Sequence, residues 1–92
     1  MKYKFNEDVL LEEIKAYIDA TYDQHYAAGS IQSMEFISSS GKGVGFTLGN
    51  IIKYADRYGK KAGSNRKDII KIIHYGILAL NEHDLGEVNE VK

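Results

Sequence analysis

Asn6 precedes Glu7 and Asp8, and then Leu10, Leu11, Ile14, Tyr17, Ile18 and Tyr22 recur at intervals of three and four. That spacing predicts an amphipathic helix with Asn6 as its N-cap and acids at its positive end. Glu12, Glu13 and Asp19 fall off the apolar stripe and read as a solvated face. Gly29-Ser30 breaks the pattern. Ile31, Met34, Phe36 and Ile37 then give about two helical turns, ended by Ser38-Ser39-Ser40-Gly41. Gly41-Lys42-Gly43-Val44-Gly45 reads as a flexible connector. From Thr47 to Tyr58, Leu48, Ile51, Ile52, Ala55 and Tyr58 mark one helical face, with Thr47 as cap and Gly59 as stop. Asn65-Arg66-Lys67-Asp68 has the form of a capping box and opens a last helix carrying Ile69, Ile70, Ile72, Ile73, Ile77, Leu78 and Leu80. The pattern persists for about three turns without a turn signal, which favours helix over strand. After Asn81-Glu82-His83-Asp84 the acidic stretch 85–92 is expected to fray.

The fold class this predicts is all-α, a small three- to four-helix domain over residues 1–92. The apolar residues of the last helix cover more than one face, and a chain of this length offers little core to surround them. A domain of 92 residues buries only about 60–65% of its unfolded surface. A homo-oligomer joined through the last helix is therefore expected.

Composition narrows the classes further. The chain has no cysteine, which excludes a disulfide framework, a thiolate zinc site and a thiol nucleophile. No run approaches the roughly 18 apolar residues that cross a bilayer, and Met1-Lys2-Tyr3-Lys4-Phe5-Asn6 runs into acids instead of an apolar signal core. The expectation is a cytoplasmic protein with no membrane partner. The net charge of −1 hides a segregation: residues 1–41 carry 3 bases against 7 acids, 42–71 carry 8 against 2, and 72–92 carry 1 against 4. The middle segment attracts anions.

Within it, Asn50, Lys53, Arg57, Lys60 and Lys61 stand at i, i+3, i+7, i+10 and i+11, on a face opposite the apolar stripe. With only Asp56 nearby to neutralise them, they form a candidate phosphate-binding strip, in which Arg57 chelates bidentately and Lys53 acts as a point charge. Tyr54 lies beside the strip, placed either to stack on a base or to pack half-buried. His25 and Tyr26 follow the first helical pattern, with no second ligand at short metal spacing from His25. The glycine-rich stretch is no Walker motif. The position five residues before Gly41-Lys42 is Phe36, and Gly43 replaces the metal-binding hydroxyl. Its backbone N–H groups can still form an anion nest, and glycines in a plain connector explain the composition as well.

The run His25-Tyr26, Gly29, Ile31-Gln32, Glu35-Phe36-Ile37, Phe46, Gly49-Asn50-Ile51-Ile52-Lys53-Tyr54, Arg57, Lys60-Lys61, Gly63, Asp68, Lys71 and Tyr75 resembles the small SaV-like domain of tailed phages, commonly labelled a phage nucleotide kinase. The resemblance covers about residues 25–80 and leaves the first 24 uncovered. Its most specific part is Gly-Asn-x-x-Lys-Tyr-x-x-Arg followed by Lys and Gly. It departs at Ser33-Met34, where the family often has Pro, and at Ile69, where it has Leu. The resemblance implies a phage protein working in the cytoplasm of an infected host and handling nucleotides. It puts Asn50, Lys53, Tyr54, Arg57, His25 and Lys61 at motif positions.

Three function classes follow. In the first, the protein binds a phosphorylated nucleotide or a cyclic or oligonucleotide immune signal and sequesters it. In the second, it is a nucleoside monophosphate kinase, which would bring magnesium as its only cofactor; Asp56, Asp68 and Glu35 are the carboxylates of the matching region, a thin set for that chemistry. In the third, it binds nucleic acid, which the two acidic flanks disfavour. The first is preferred.

Overall fold

The computed structural model describes residues 1–27, 30–60 and 63–90, and side chains within these except at 25–27, 30–32 and 87–90. Four helices and no strand are present among the described residues: α1 (Glu7–Ala27), α2 (Ser30–Ser39), α3 (Gly43–Arg57) and α4 (Arg66–Glu90). The all-α expectation holds.

Helix α1 starts after Asn6, which takes a positive φ of 59°. Its carbonyl accepts the Leu10 N–H, while the Glu7 carboxylate accepts the Phe5 N–H at 2.8 Å. Of the predicted stripe only Ile14 is buried; Tyr17 and Ile18 are half-buried, and Leu10, Leu11 and Tyr22 face outward. Helix α2 ends in a Schellman turn. Gly41, at φ +80°, donates to the Ser38 carbonyl and Lys42 to that of Ile37, satisfying carbonyls that a helix end leaves open.

Beyond Gly41-Lys42 the glycine-rich stretch is not a loop. Gly43, Val44 and Gly45 are the first turn of α3, and Thr47, expected at the cap, lies one turn inside. Its fully buried hydroxyl is within reach of the Gly43 and Val44 carbonyls at 2.8 and 3.0 Å. A Cβ at Gly43 would overlap the carboxylate of Glu82, so a larger residue there would displace that side chain. The Gly59 stop is correct, with φ +83° immediately after Tyr58. At the start of α4 the Asn65 side chain accepts from the Lys67 N–H at 2.9 Å, so Asn65 caps as expected. Asp68 does not complete the box and instead pairs with Arg57. The stretch expected to fray remains helical to Glu90.

Helices α3 and α4 form an antiparallel hairpin, tied at the turn by Arg57 and Asp68 and at the far end by Gly43 and Glu82. Helix α1 joins α4 through a bidentate contact of the Arg66 guanidinium with Glu13 and an edge-on contact of Tyr17 with His74. From α2, the Ser38 hydroxyl donates to Glu82 at 2.9 Å. Ile14 and Tyr54 are the buried apolar residues among those described. The core of one chain is accordingly thin.

Candidate functional site

Helix α4 carries two patterns at once. Its isoleucines dominate the sequence, but Lys71, His74, Tyr75, Leu78, Asn81, Glu82 and Leu85 recur at three and four along one stripe. All of them line one cleft of about 830 Å³ between the hairpin, α1 and α2. Cavities that hold cofactors and substrates span about 300–1,000 Å³. Phe46 and Tyr54 contribute from α3, Tyr17, Thr21 and Tyr22 from α1, and Met34, Glu35 and Ser38 among others from α2.

The floor is aromatic. Tyr54 and Tyr75 lie nearly parallel, with centroids 6.0 Å apart; Phe46 meets Tyr75 edge-on at 6.2 Å, and Tyr17 meets His74 edge-on at 5.7 Å. Burial raises the Tyr17 and Tyr75 phenols above the ordinary value of 10.0, with the neighbouring tyrosines adding to the effect. Both are neutral hydroxyls at physiological pH, able to donate to a ligand. The ammonium groups of Lys53 and Lys71 each stand 5.0 Å from the centre of the Tyr54 ring.

The cleft is electrically polar along its length. Lys71 lies toward the first turns of α4, and Glu82 is eleven residues further on, about 16 Å along the axis. Glu82 is buried, accepts from Ser38 and abuts the N-terminal turn of α3, where the helix dipole favours a carboxylate. One end of the cleft is thus cationic beside an aromatic ring, and the other carries carboxylate and amide groups.

The predicted strip is only partly realised. Tyr54 lines the cleft and Lys53 stands over its ring. The Asn50 amide donates to the Phe46 carbonyl of its own helix at 2.9 Å. Lys60 pairs with Asp56 at 2.6 Å on the surface. Arg57, for which Asp56 was the only neutralising acid expected nearby, instead lies 3.6 Å from the buried Asp68, with its own side chain 34% exposed. Arg57 Nε and Asp68 Oδ2 have no hydrogen-bond partner among the described residues. The reason lies in the hairpin: antiparallel packing sets the first turn of α4 against the last turn of α3 and brings Asp68 to Arg57, eleven residues away in sequence. Lys61 lies outside the described residues. His25 and Tyr26 fall within α1, and their side chains also lie outside the description.

Sequence reasoning missed Tyr17, Lys71, His74, Tyr75, Asn81 and Glu82 as cleft residues. A signal was present, since the polar residues of α4 themselves keep helical spacing, but the isoleucine density masked it. Among the described residues no group of three or more His, Asp or Glu is arranged to hold a metal ion. No helix of the described residues is long and apolar enough to cross a membrane.

Residues 20–76 match DUF3310, described as a protein of unknown function, and because the match spans well over half of the chain, the chain belongs to that family. No curated protein and no solved structure matches it.

Proposed function

We propose that the protein binds a phosphorylated nucleotide, or a small molecule derived from one, in the cleft on the α1 and α2 side of the hairpin. The observation that carries this reading is the Tyr54 ring, with Lys53 and Lys71 both against it at the edge of an aromatic floor. A nucleotide needs a planar surface for its base and cations for its phosphate. Tyr75 and Phe46 supply the first, and Lys71 and Lys53, gathered at the Tyr54 ring, the second. Asn81, ten residues along α4 from Lys71, and Glu35 offer groups for base edges or sugar hydroxyls. The resemblance of residues 25–80 to the SaV-like domain supports the same ligand class.

Sequestration is the preferred form of this activity. Phosphoryl transfer requires donor and acceptor held in line, with charge neutralised between them. Of the carboxylates that line the cleft, Glu82 stands about three turns of α4 from Lys71 and is already engaged by Ser38. A single nucleotide fills this cleft more naturally than two.

Calorimetry with nucleoside mono-, di- and triphosphates tests the proposal. Lys71→Ala and Lys53→Ala should each weaken binding by about 1.5–3 kcal/mol, the scale of a charge-assisted hydrogen bond, while the protein stays folded, because Lys53 is exposed and Lys71 only half-buried. Unchanged affinity in both variants would remove the cleft from consideration. Incubation of a nucleoside monophosphate with ATP and magnesium should leave both intact; diphosphate accumulating over many turnovers per chain, and lost in Lys71→Ala, would establish the kinase reading at the same site.

A further inference from the structure

The hairpin has a second face, and it is apolar throughout. On α4, Ile69, Ile72, Ile73, Gly76, Ala79 and Leu80 follow one another at three and four, bounded by Asn65 and His83. None of these residues lines the cleft, and all are exposed or half-buried. On α3, Val44, Leu48, Ile51, Ile52 and Ala55 form the matching stripe. In an antiparallel pair these stripes fall on the same side, away from the cleft. We propose that this face is where a second copy of the chain docks, with α4 crossing its two-fold mate at Gly76.

Three observations select a second copy as the occupant. The first is area: Ile73 is 41% exposed, Ile52 68% and Leu80 63%. With Val44, Leu48 and Ile69 they leave on the order of 600 Å² of apolar surface per copy, so that a pair reaches the roughly 1,200 Å² at which specific interfaces begin. The second is Gly76. Glycine is a poor helix former, and a Cβ at Gly76 would meet nothing within 4 Å, as is also true of Gly45, Gly49 and Gly86. On the apolar face the absent side chain leaves room for a second backbone to approach closely. The third is self-complementarity. The face carries no charge for a partner of different chemistry to read, and a two-fold axis through Gly76 sets the isoleucine end of each α4 against the leucine end of the other.

The chain contains no cysteine, so Gly76→Cys introduces the only thiol, and a residue on a two-fold axis meets its own copy. Under mild oxidation this variant should convert rapidly to a covalent pair of twice 10.3 kDa, while Glu12→Cys, exposed on α1, should stay single. In sedimentation at micromolar concentration the unmodified protein should run as an assembly, and Ile73→Asp and Gly76→Leu should each raise its dissociation constant at least tenfold. Circular dichroism should show both variants still helical, since neither position is buried within one copy. A 10.3 kDa species alone for the unmodified protein, or an assembly that neither substitution weakens, would overturn the proposal. So would a covalent pair formed no faster by Gly76→Cys than by Glu12→Cys.

Discussion

Arg57 shows how a residue's role is settled by what the fold brings to it. Along the sequence it is one cation in a row, four residues from Lys53 and three from Lys60. In the structure it is the counter-charge of Asp68, whose side chain is only 3% exposed. Removing Arg57 would leave a carboxylate in a site that water barely reaches, and an unpaired buried charge is among the costliest defects a small protein can carry. Arg57→Ala should therefore lower stability by about 3 kcal/mol, the low end of the range for breaking a buried pair, because the guanidinium itself is partly solvated. The check is urea unfolding of Arg57→Ala beside Lys53→Ala. The first should move the midpoint and the second should not. Equal midpoints would return Arg57 to the ligand-binding strip.

At the scale of elements, the boundaries marked by Gly41, Gly59 and Asn65 were legible. Gly41 and Gly59 end helices at positive φ, a backbone region that any reader of the sequence expects of glycine. The start of α3 was not legible, because glycine argues against helix locally. Gly43 sits in the first turn of α3 against the carboxylate of Glu82, thirty-nine residues away, and no local propensity records that contact. The same limit hid the cleft. The aromatic neighbours Tyr17, His74 and Tyr75 come from α1 and α4, and only their docking makes them one surface. That docking has an acid-sensitive fastening in the Glu13 and Arg66 contact between α1 and α4. The hydrogen bonds of the guanidinium, and to a lesser degree its charge, hold the Glu13 carboxyl below its ordinary value of 4.5, with desolvation opposing them in part. A carboxylate whose folded value is depressed stabilises above its unfolded value, and that contribution disappears as pH falls through the folded one. Hydrogen exchange along α1 should thus accelerate relative to the α3 and α4 hairpin as pH drops below about 4.5. Glu13→Gln should remove most of that difference, and a difference that persists in the variant would place the acid sensitivity elsewhere.

For the whole molecule, the deciding quantity is how little one copy buries. Eighteen large hydrophobic side chains remain exposed among the described residues, against two that are buried. A domain of this size with a full core stands only several kcal/mol above unfolding, and here most of the candidate core residues face outward. Association through that face stabilises the folded chain by mass action, so stability carries the protein concentration in it. For a protein stabilised by pairing, the unfolding midpoint rises with concentration, whereas for a monomer it does not move. Thermal unfolding followed by circular dichroism from 1 to 100 μM chain should therefore shift upward by several degrees, since each tenfold step adds about 1.4 kcal/mol to a bimolecular equilibrium. Ile73→Asp should flatten that dependence and lower the midpoint at the highest concentration most. A midpoint constant across the range, with the protein still cooperative, would mean that the four helices of one copy hold themselves together without that face being covered.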